Sequence, residues 1–311
     1  MTDEIYHGRE VSILYDVETT AGTAVVPSRE MFFSATATAS ETKNVVVKHG
    51  QGTAAPKLAE GKYEVSGSIS GSLQHAEILE YIIGTPSDAG SAPTTHTISS
   101  PSESVSPLTI QYGLDGTASQ SATYAGCYIN NLEITAATDD VAQIKVDWVG
   151  MTVASAGSVV SAVVSTDNLF SMKEASLTIG SAIACIENAS FKFTRGAEVS
   201  HGIGSLTACA LKSGNWEVEV SFTGKLINTT EYQRFLGGTS PDASTAATVV
   251  LKFDNGETGA DEREITLTAT GALYTTFDTD YGTDKYTTFT GTLNASSCSL
   301  EAKDNTANWD A

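Results

Sequence analysis

Residues 61–84, GKYEVSGSISGSLQHAEILEYIIG, return at 214–237 as GNWEVEVSFTGKLINTTEYQRFLG, 153 residues on and without a gap. Gly61, Glu64, Val65, Ser68, Gly71, Leu73 and Gly84 are matched by Gly214, Glu217, Val218, Ser221, Gly224, Leu226 and Gly237. Tyr63 and Trp216, Ile69 and Phe222, and Ile82 and Phe235 keep their character. Upstream, His49-Gly50-Gln51-Gly52-Thr53 answers His201-Gly202-Ile203-Gly204-Ser205 at a spacing of 152. A repeat of this kind restricts the chain to architectures that use one unit twice, so two homologous domains are expected. A length of 311 residues agrees with two domains of roughly 150.

Each copy carries the same local physics. Tyr63, Val65, Ile69 and Leu73 fall on one parity, as do Trp216, Val218, Val220, Phe222 and Leu226. Period-two alternation over about ten residues predicts a strand with one buried face. The spacing then turns helical. Ile78, Leu79, Ile82 and Ile83 share one side of a short helix, as do Tyr232, Phe235 and Leu236. Asn228 and Glu231 stand at capping-box spacing, and Gly84 and Gly237 sit where a helix-stopping glycine belongs.

Elsewhere, short alternating runs are separated by Gly, Asp and Asn, which argues for mainly antiparallel β-structure. Strands are expected within 31–48, 108–112, 124–135, 143–153, 176–179, 184–193, 249–253, 264–277 and 285–293. Residues 11–15 read as an arm or an edge strand. Residues 49–60 and 201–213 read as matching glycine-bearing loops, and 85–104 as a long polar loop. Segment 154–166 is either a linker or a small-residue edge strand. Phe289-Thr290-Gly291 matches Trp148-Val149-Gly150 in placement, which carries the duplication to the end of each domain. The stretch after Leu300 is polar apart from Trp309, which either anchors on a partner or folds back. The division falls at 1–160 and 161–311.

There are 37 acidic and 17 basic residues, a formal charge of −20. A protein that grips nucleic acid by its phosphates needs a basic face, and no Lys/Arg cluster provides one. The acidity either maintains solubility or lets the protein lie near DNA without adhering. No run approaches the roughly 20 apolar residues of a membrane span. The first ten residues are acidic and lack an apolar core, so no signal peptide is expected and assembly is expected in cytoplasm. Cys127, Cys185, Cys209 and Cys298 form neither a CxxC pair nor a compact framework, and are expected to be small buried residues.

Catalysis requires a converging set of groups. His49 and His201 are the only duplicated histidines; each stands beside glycine without ligands at metal spacing, and a structural role is expected. The HGxG pattern lacks the lysine and the following helix of a phosphate loop. Asp278, Asp280, Gly282 and Asp284 have the spacing of a calcium loop, but the glycine is misplaced and no closing Glu follows. A solvated hairpin tip is expected there. Asn188, Asn228 and Asn294 head glycosylation-type triplets, read as chance matches without a secretion signal. No enzyme, metal or cofactor is expected.

The glycine-punctuated strand EVSGSISGSL entering a short helix that ends in IIGT resembles the tail tube proteins of long-tailed phages and archaeal tailed viruses. The opening ILYDVETTAGTAVVP is similar to the N-terminal stretch of that group. The resemblance implies two tandem antiparallel β-sandwich or half-barrel domains, each with one short flanking α-helix, polymerised into stacked rings around a DNA channel. With two domains in one chain, it implies a homotrimer of pseudo-sixfold symmetry. Implied partners are further copies of the chain and the tape measure, terminator and distal tail proteins, with genomic double-stranded DNA passing through unbound and no membrane contact. The implied location is the virion tail, assembled in host cytoplasm. On this analogy His49, Gly50, Gln51, Gly52 and Thr53, with His201, Gly202, Ile203, Gly204 and Ser205, make inter-ring contacts. The rival readings are a tube-like secretion-system protein or another virion protein of related fold, and a β-sandwich adhesin or carbohydrate-binding module. The last would be expected to carry a secretion signal.

Overall fold

A computed structural model describes residues 11–49, 56–114, 120–155, 167–182, 185–225, 229–239, 241, 246–281, 286–307 and 309. The first half contains β1 (Val11–Val17), β2 (Arg29–Glu30), β3 (Phe33–His49), β4 (Pro56–Ser72), β5 (Ser87–Ala89), β6 (Thr94–Ile98), β7 (Leu108–Leu114), β8 (Gln120–Ala137), β9 (Gln143–Gly150) and β10 (Thr152–Ser155). The second contains β11 (Ser176–Ile179), β12 (Ser181–Ala182), β13 (Ile186–Arg195), β14 (Glu198–His201), β15 (Ala208–Lys212), β16 (Trp216–Lys225), β17 (Ala247–Asp254), β18 (Glu264–Asp280), β19 (Thr288–Ala295) and β20 (Ser297–Asp304). Helix α1 (Glu80–Ile83) continues a 3-10 turn over Glu77–Leu79, and α2 is Thr230–Leu236. The fold is mainly antiparallel β, as the alternation predicts.

Eight strands form one central antiparallel sheet in the order β3-β4-β9-β8-β13-β16-β19-β18. Its first four strands come from the first half and its last four from the second. The roles repeat in the same order, with β3 answering β13, β4 answering β16, β9 answering β19 and β8 answering β18. Behind it, β8 also belongs to a sheet β2-β1-β7-β8-β10. Strand β18 likewise enters a sheet β12-β11-β17-β18-β20-β6-β5. The set β1-β7-β8-β10 is therefore used again as β11-β17-β18-β20.

The two long strands pass from one sheet to the other at matching glycines. Gly126 has φ +65° and Gly271 φ +63°, a left-handed conformation that costs other residues roughly 1–2 kcal/mol. Farther along, each strand shifts register at the same place, between Ile129 and Asn131 in β8 and between Tyr274 and Thr276 in β18.

Alternation decides which side chains enter the core. Val65, Ile69 and Leu73 from β4 and the residue after it are buried, as are Val218, Val220 and Phe222 from β16. They join one contiguous core between the central sheet and the strands behind it, each fully buried aliphatic or aromatic contributing about 1.5–3 kcal/mol. Ile78, Leu79, Ile82 and Ile83 are buried as their spacing requires. Helix α2 is covered less well, and Tyr232 is 42 % exposed. Its aromatics instead ring-pack on β18, Tyr232 and Phe235 lying 5.6 and 5.9 Å from Phe277. Both helices end at positive-φ glycines, Gly84 and Gly237.

Several expectations change. Strand β4 starts at Pro56 and pairs with β3 up to His49, so residue 49 and residues 56–60 of the expected loop belong to a hairpin stem, while 50–55 lie outside the described residues. In the second copy, β14 and β15 occupy much of 198–212. The expected polar loop 85–104 holds β5 and β6, and β6 pairs with β20 about 200 residues away, a partner no local pattern reveals. Residues 143–153 divide into β9 and β10, which belong to different sheets. Residues 11–15 form no arm, because β1 lies between β2 and β7. The match of Phe289–Gly291 to Trp148–Gly150 is four residues out. Val65 faces Gly150 and Val218 faces Ala295, so Trp148 corresponds to Leu293.

Residues 301–304 of the polar stretch after Leu300 complete β20, and Trp309 folds back into the core, stacked on the buried His96 ring at 4.4 Å. Asp304 takes Trp309 Nε1–H at 2.9 Å and lies 3.1 Å from His96 Nε2, while Asp88 lies 2.7 Å from His96 Nδ1. Cys127 and Cys298 are buried, but Cys185 and Cys209 are exposed; all four are free thiols. Asn228 of the expected capping box lies outside the described residues. The Glu231 carboxylate is bonded to Arg234 and to the Tyr274 hydroxyl, both through its side chain. Residues 1–10 and 156–166, the expected terminal segment and most of the linker, also lie outside the described residues.

Candidate functional site: the polar face of the central sheet

Strict alternation leaves the central sheet with a second face that the core does not use. Ser66, Ser68, Ser70 and Ser72 in β4 carry it next to Gln143, Lys145 and Asp147 in β9. Asn131, Glu133 and Thr135 follow in β8, Ser190, Lys192 and Thr194 in β13, and Glu217, Glu219, Ser221 and Thr223 in β16. Thr290, Thr292 and Asn294 in β19 and Asp278 and Asp280 in β18 complete it. The surface is thus dominated by hydroxyls, amides and carboxylates.

Register arranges the charges in rows. Lys145, Glu133, Lys192 and Glu219 face one another in succession across β9, β8, β13 and β16, alternating in sign over the joint between the halves. Opposite charges facing across strands contribute roughly 0.2–1 kcal/mol per pair. In the adjacent row, Asn131 donates to Asp147 at 3.1 Å and accepts from the Thr194 hydroxyl at 3.0 Å. Burial pushes the Asp147 carboxyl up, but hydrogen bonds from Ser68 and Asn131 and the Lys145 ammonium outweigh it and hold the group below its ordinary value. It stays ionised. The sign balance drifts toward the far edge, where Asp278 and Asp280 face Thr290 and Thr288. Across β9, β8, β13, β16, β19 and β18 the face carries six carboxylates, of Glu133, Asp147, Glu217, Glu219, Asp278 and Asp280, against the ammonium groups of Lys145, Lys192 and Lys225. Lys225 is itself held by Glu187 at 3.1 Å.

Such a face suits a polyanion that must move past it. Fixed carboxylates repel phosphates over a Debye length of about 8 Å at physiological salt. Small hydroxyl side chains give no ring on which a base could stack.

Of the duplicated histidines, His49 ends β3 and His201 lies against β4. His49 closes β3 opposite Pro56, while Gly50, Gln51, Gly52 and Thr53 lie outside the described residues. His201 ends β14, and its Nε2–H donates to the carbonyl of Tyr63 in β4 at 2.9 Å. The Tyr63 amide donates to Leu206 at 2.8 Å, so the second copy's loop is docked on the first copy's hairpin. Gly202, Ile203, Gly204 and Ser205 form an exposed turn, with the Ser205 hydroxyl bonded to Thr207. Beyond that contact the β3–β4 stem projects, with Val45, Val47 and Leu58 exposed. It is also basic. Residues 43–62 contain Lys43, Lys48, Lys57 and Lys62 against Glu60 alone, within a chain of net charge −20.

Among the described residues no group of three or more His, Cys, Asp or Glu is arranged to hold a metal ion. Asp278 and Asp280 lie in a strand rather than in a hairpin tip; Gly282 and Asp284 lie outside the described residues. Of the sheet-face carboxylates the sequence marks only Asp278 and Asp280, by their spacing, although the alternation of Glu217 and Glu219 with Val218 and Val220 assigns those two to one side.

A family model described as phage tail tube protein matches residues 8–272. No curated protein matches the chain.

Proposed function

The chain belongs to the phage tail tube protein family, and on that premise we propose that copies of it close into rings and stack into the hollow tail tube through which viral double-stranded DNA passes. The observation that carries this reading is the central sheet, a continuous eight-stranded wall with one apolar side buried and one hydroxyl- and carboxylate-rich side open. The polar side lines the channel, and its net negative charge lets DNA slide without adhering.

The repeated strand order supports a division into two tube domains, 1–160 and 161–311, joined where β8 pairs with β13. A homotrimer then presents six equivalent units, a pseudo-hexameric ring. The basic hairpin stem that ends at His49, with the turn from His201 to Ser205, meets the acidic body of the next ring. Its role in the virion is structural rather than enzymatic, assembly takes place in host cytoplasm, and the tube ends meet the tape measure, terminator and distal tail proteins.

Native mass measurement with electron microscopy of the purified protein tests this. Trimeric rings or hollow tubes are expected. A strict monomer at high concentration, whatever the salt, would overturn it.

A further inference from the structure

Asn255 is the only asparagine in the sequence that is followed by glycine. It stands in the loop between Asp254, the end of β17, and Glu264, the start of β18. Glycine has no Cβ, so the amide nitrogen of Gly256 is the least shielded nucleophile that a backbone can set beside an asparagine side chain. Three hydrogen-bonding arrangements converge on this pair. The Gly256 N–H donates to Asp254 Oδ1 at 2.8 Å. The side-chain oxygen of Asn255 accepts from two backbone amides, the N–H of Glu257 at 3.2 Å and that of Arg263 at 3.0 Å. Its side-chain nitrogen donates to the carbonyl of Asp261 at 2.9 Å.

We propose that this loop is a self-modifying site, where Asp254 and the two backbone amides promote loss of the Asn255 side-chain amide through a cyclic imide. The Gly256 nitrogen attacks Asn255 Cγ, and the new C–N bond closes the ring. The proton of that nitrogen passes to the Asp254 carboxylate, which acts as general base. Negative charge develops on Asn255 Oδ1, where the Glu257 and Arg263 N–H groups already point, the arrangement of an oxyanion hole. The Cγ–Nδ2 bond then breaks, Nδ2 takes up the proton held by Asp254, and ammonia leaves. Water opens the imide at either carbonyl and leaves aspartate or isoaspartate at position 255. One water is consumed and one ammonia released, with no change of oxidation state. Residues 256–261 are exposed, so water reaches the site.

The donors are held in place before reaction. The Asn255 N–H donates to the Arg263 carbonyl at 3.1 Å, so Arg263 is fixed across the loop by its carbonyl while its N–H meets the Asn255 side chain. Preorganised donors cost no reorganisation as charge develops. The product behaves differently from the starting amide. A carboxylate has no hydrogen to give the Asp261 carbonyl, and it adds a negative charge beside Asp254, Glu257 and Asp261. The contact that closes the loop becomes a repulsion, and the β17–β18 turn loosens with age. The chemistry lies within one chain and is independent of ring formation.

The test follows position 255 in the full chain by peptide mass spectrometry, reading the mass gained when NH2 is replaced by OH, over days at neutral pH. The folded chain is compared with the same chain unfolded in guanidinium chloride, where the hydrogen bonds are gone. Conversion is expected to be about tenfold or more faster in the folded chain, at the low end for a positioned base because a carboxylate is a weak one. Asp254→Ser keeps an oxygen that can accept the Gly256 N–H but removes the base, and should bring the folded rate down by about tenfold. A thermal melt shows whether this variant folds; if it does not, the comparison of folded and unfolded chains decides alone. Conversion as slow or slower in the folded chain would overturn the site, and an undiminished rate in a folded Asp254→Ser chain would overturn the role of Asp254.

Discussion

The guanidinium of Arg195 donates through Nε to the carbonyl oxygen of Ile82 at 3.0 Å, tying β13 of the second half to α1 of the first. Its other nitrogens reach the carbonyls of Ile83 and Ser102 at 3.4 and 3.0 Å and the Ser213 hydroxyl at 2.8 Å. The side chain is fully buried with no carboxylate among these partners, and burial lowers its pKa from the ordinary value. The carbonyls at the end of α1 supply the compensating negative potential.

Replacing Arg195 by Met should therefore strand those carbonyls without donors. Each buried, unsatisfied group costs about 1–3 kcal/mol, so a loss of roughly 3 kcal/mol in urea unfolding is expected. Arg195→Lys should recover only part of it, because an ammonium cannot fork to four acceptors. Full recovery by lysine would show that charge alone holds the halves together.

The bends at Gly126 and Gly271 yield a second expectation. A Cβ on Gly126 would stand 2.8 Å from Met151 Sδ and 3.0 Å from the Gly22 amide nitrogen, and one on Gly271 would collide with the Ser296 hydroxyl. The positive φ alone costs about 1–2 kcal/mol. Gly126→Ala should cost more than Gly271→Ala, since a backbone atom yields less readily than a serine side chain. Thermal melts of the two variants, compared with Ala at an exposed control position, check this.

Acid should weaken the second back sheet. Burial raises the Glu264 carboxyl, but Lys252 at 2.8 Å and Lys303 at 3.4 Å outweigh it and hold the group below its ordinary 4.5. A carboxyl depressed in the folded state contributes stability above its unfolded value, and that contribution is lost as pH falls through the folded one. Glu264→Gln should lower stability at neutral pH by about 1 kcal/mol and flatten the fall in stability below about pH 4.5. A slope identical to that of the unmodified chain would show that this cluster does not govern acid unfolding.

Leu58→Asp in the projecting stem should leave the monomer within about 0.5 kcal/mol of its original stability, since the side chain is exposed. On the proposed function, rings should still form while tubes shorten or vanish in electron micrographs. Loss of the monomer fold would instead show that the stem is held by the body of the domain.

How much of this was legible beforehand depends on the range of the physics involved. Strand positions and faces are local properties: side chains alternate across a strand, so Val65 and Ile69, or Val218 and Phe222, declare a buried side within ten residues. Helix termination at Gly84 and Gly237 is local as well. The repeat itself needed nothing but comparison of the chain with itself.

Partners are another matter. The five-residue β6 becomes a strand because β20 lies beside it, and nothing in TTHTI names a neighbour about 200 residues away. Nothing near Arg195 in the chain shows that α1, more than 100 residues earlier, offers it carbonyls. Trp309 reads as a stray aromatic in a polar stretch until His96 lies under it. The sequence alone determined the repeated unit, its strands and the sidedness of each, because steric alternation and hydrophobic burial act between near neighbours. Only the tertiary structure decided that the two units share one sheet and which carboxylates stand on its open face, because strand pairing and register are settled by hydrogen bonds between segments far apart in the chain.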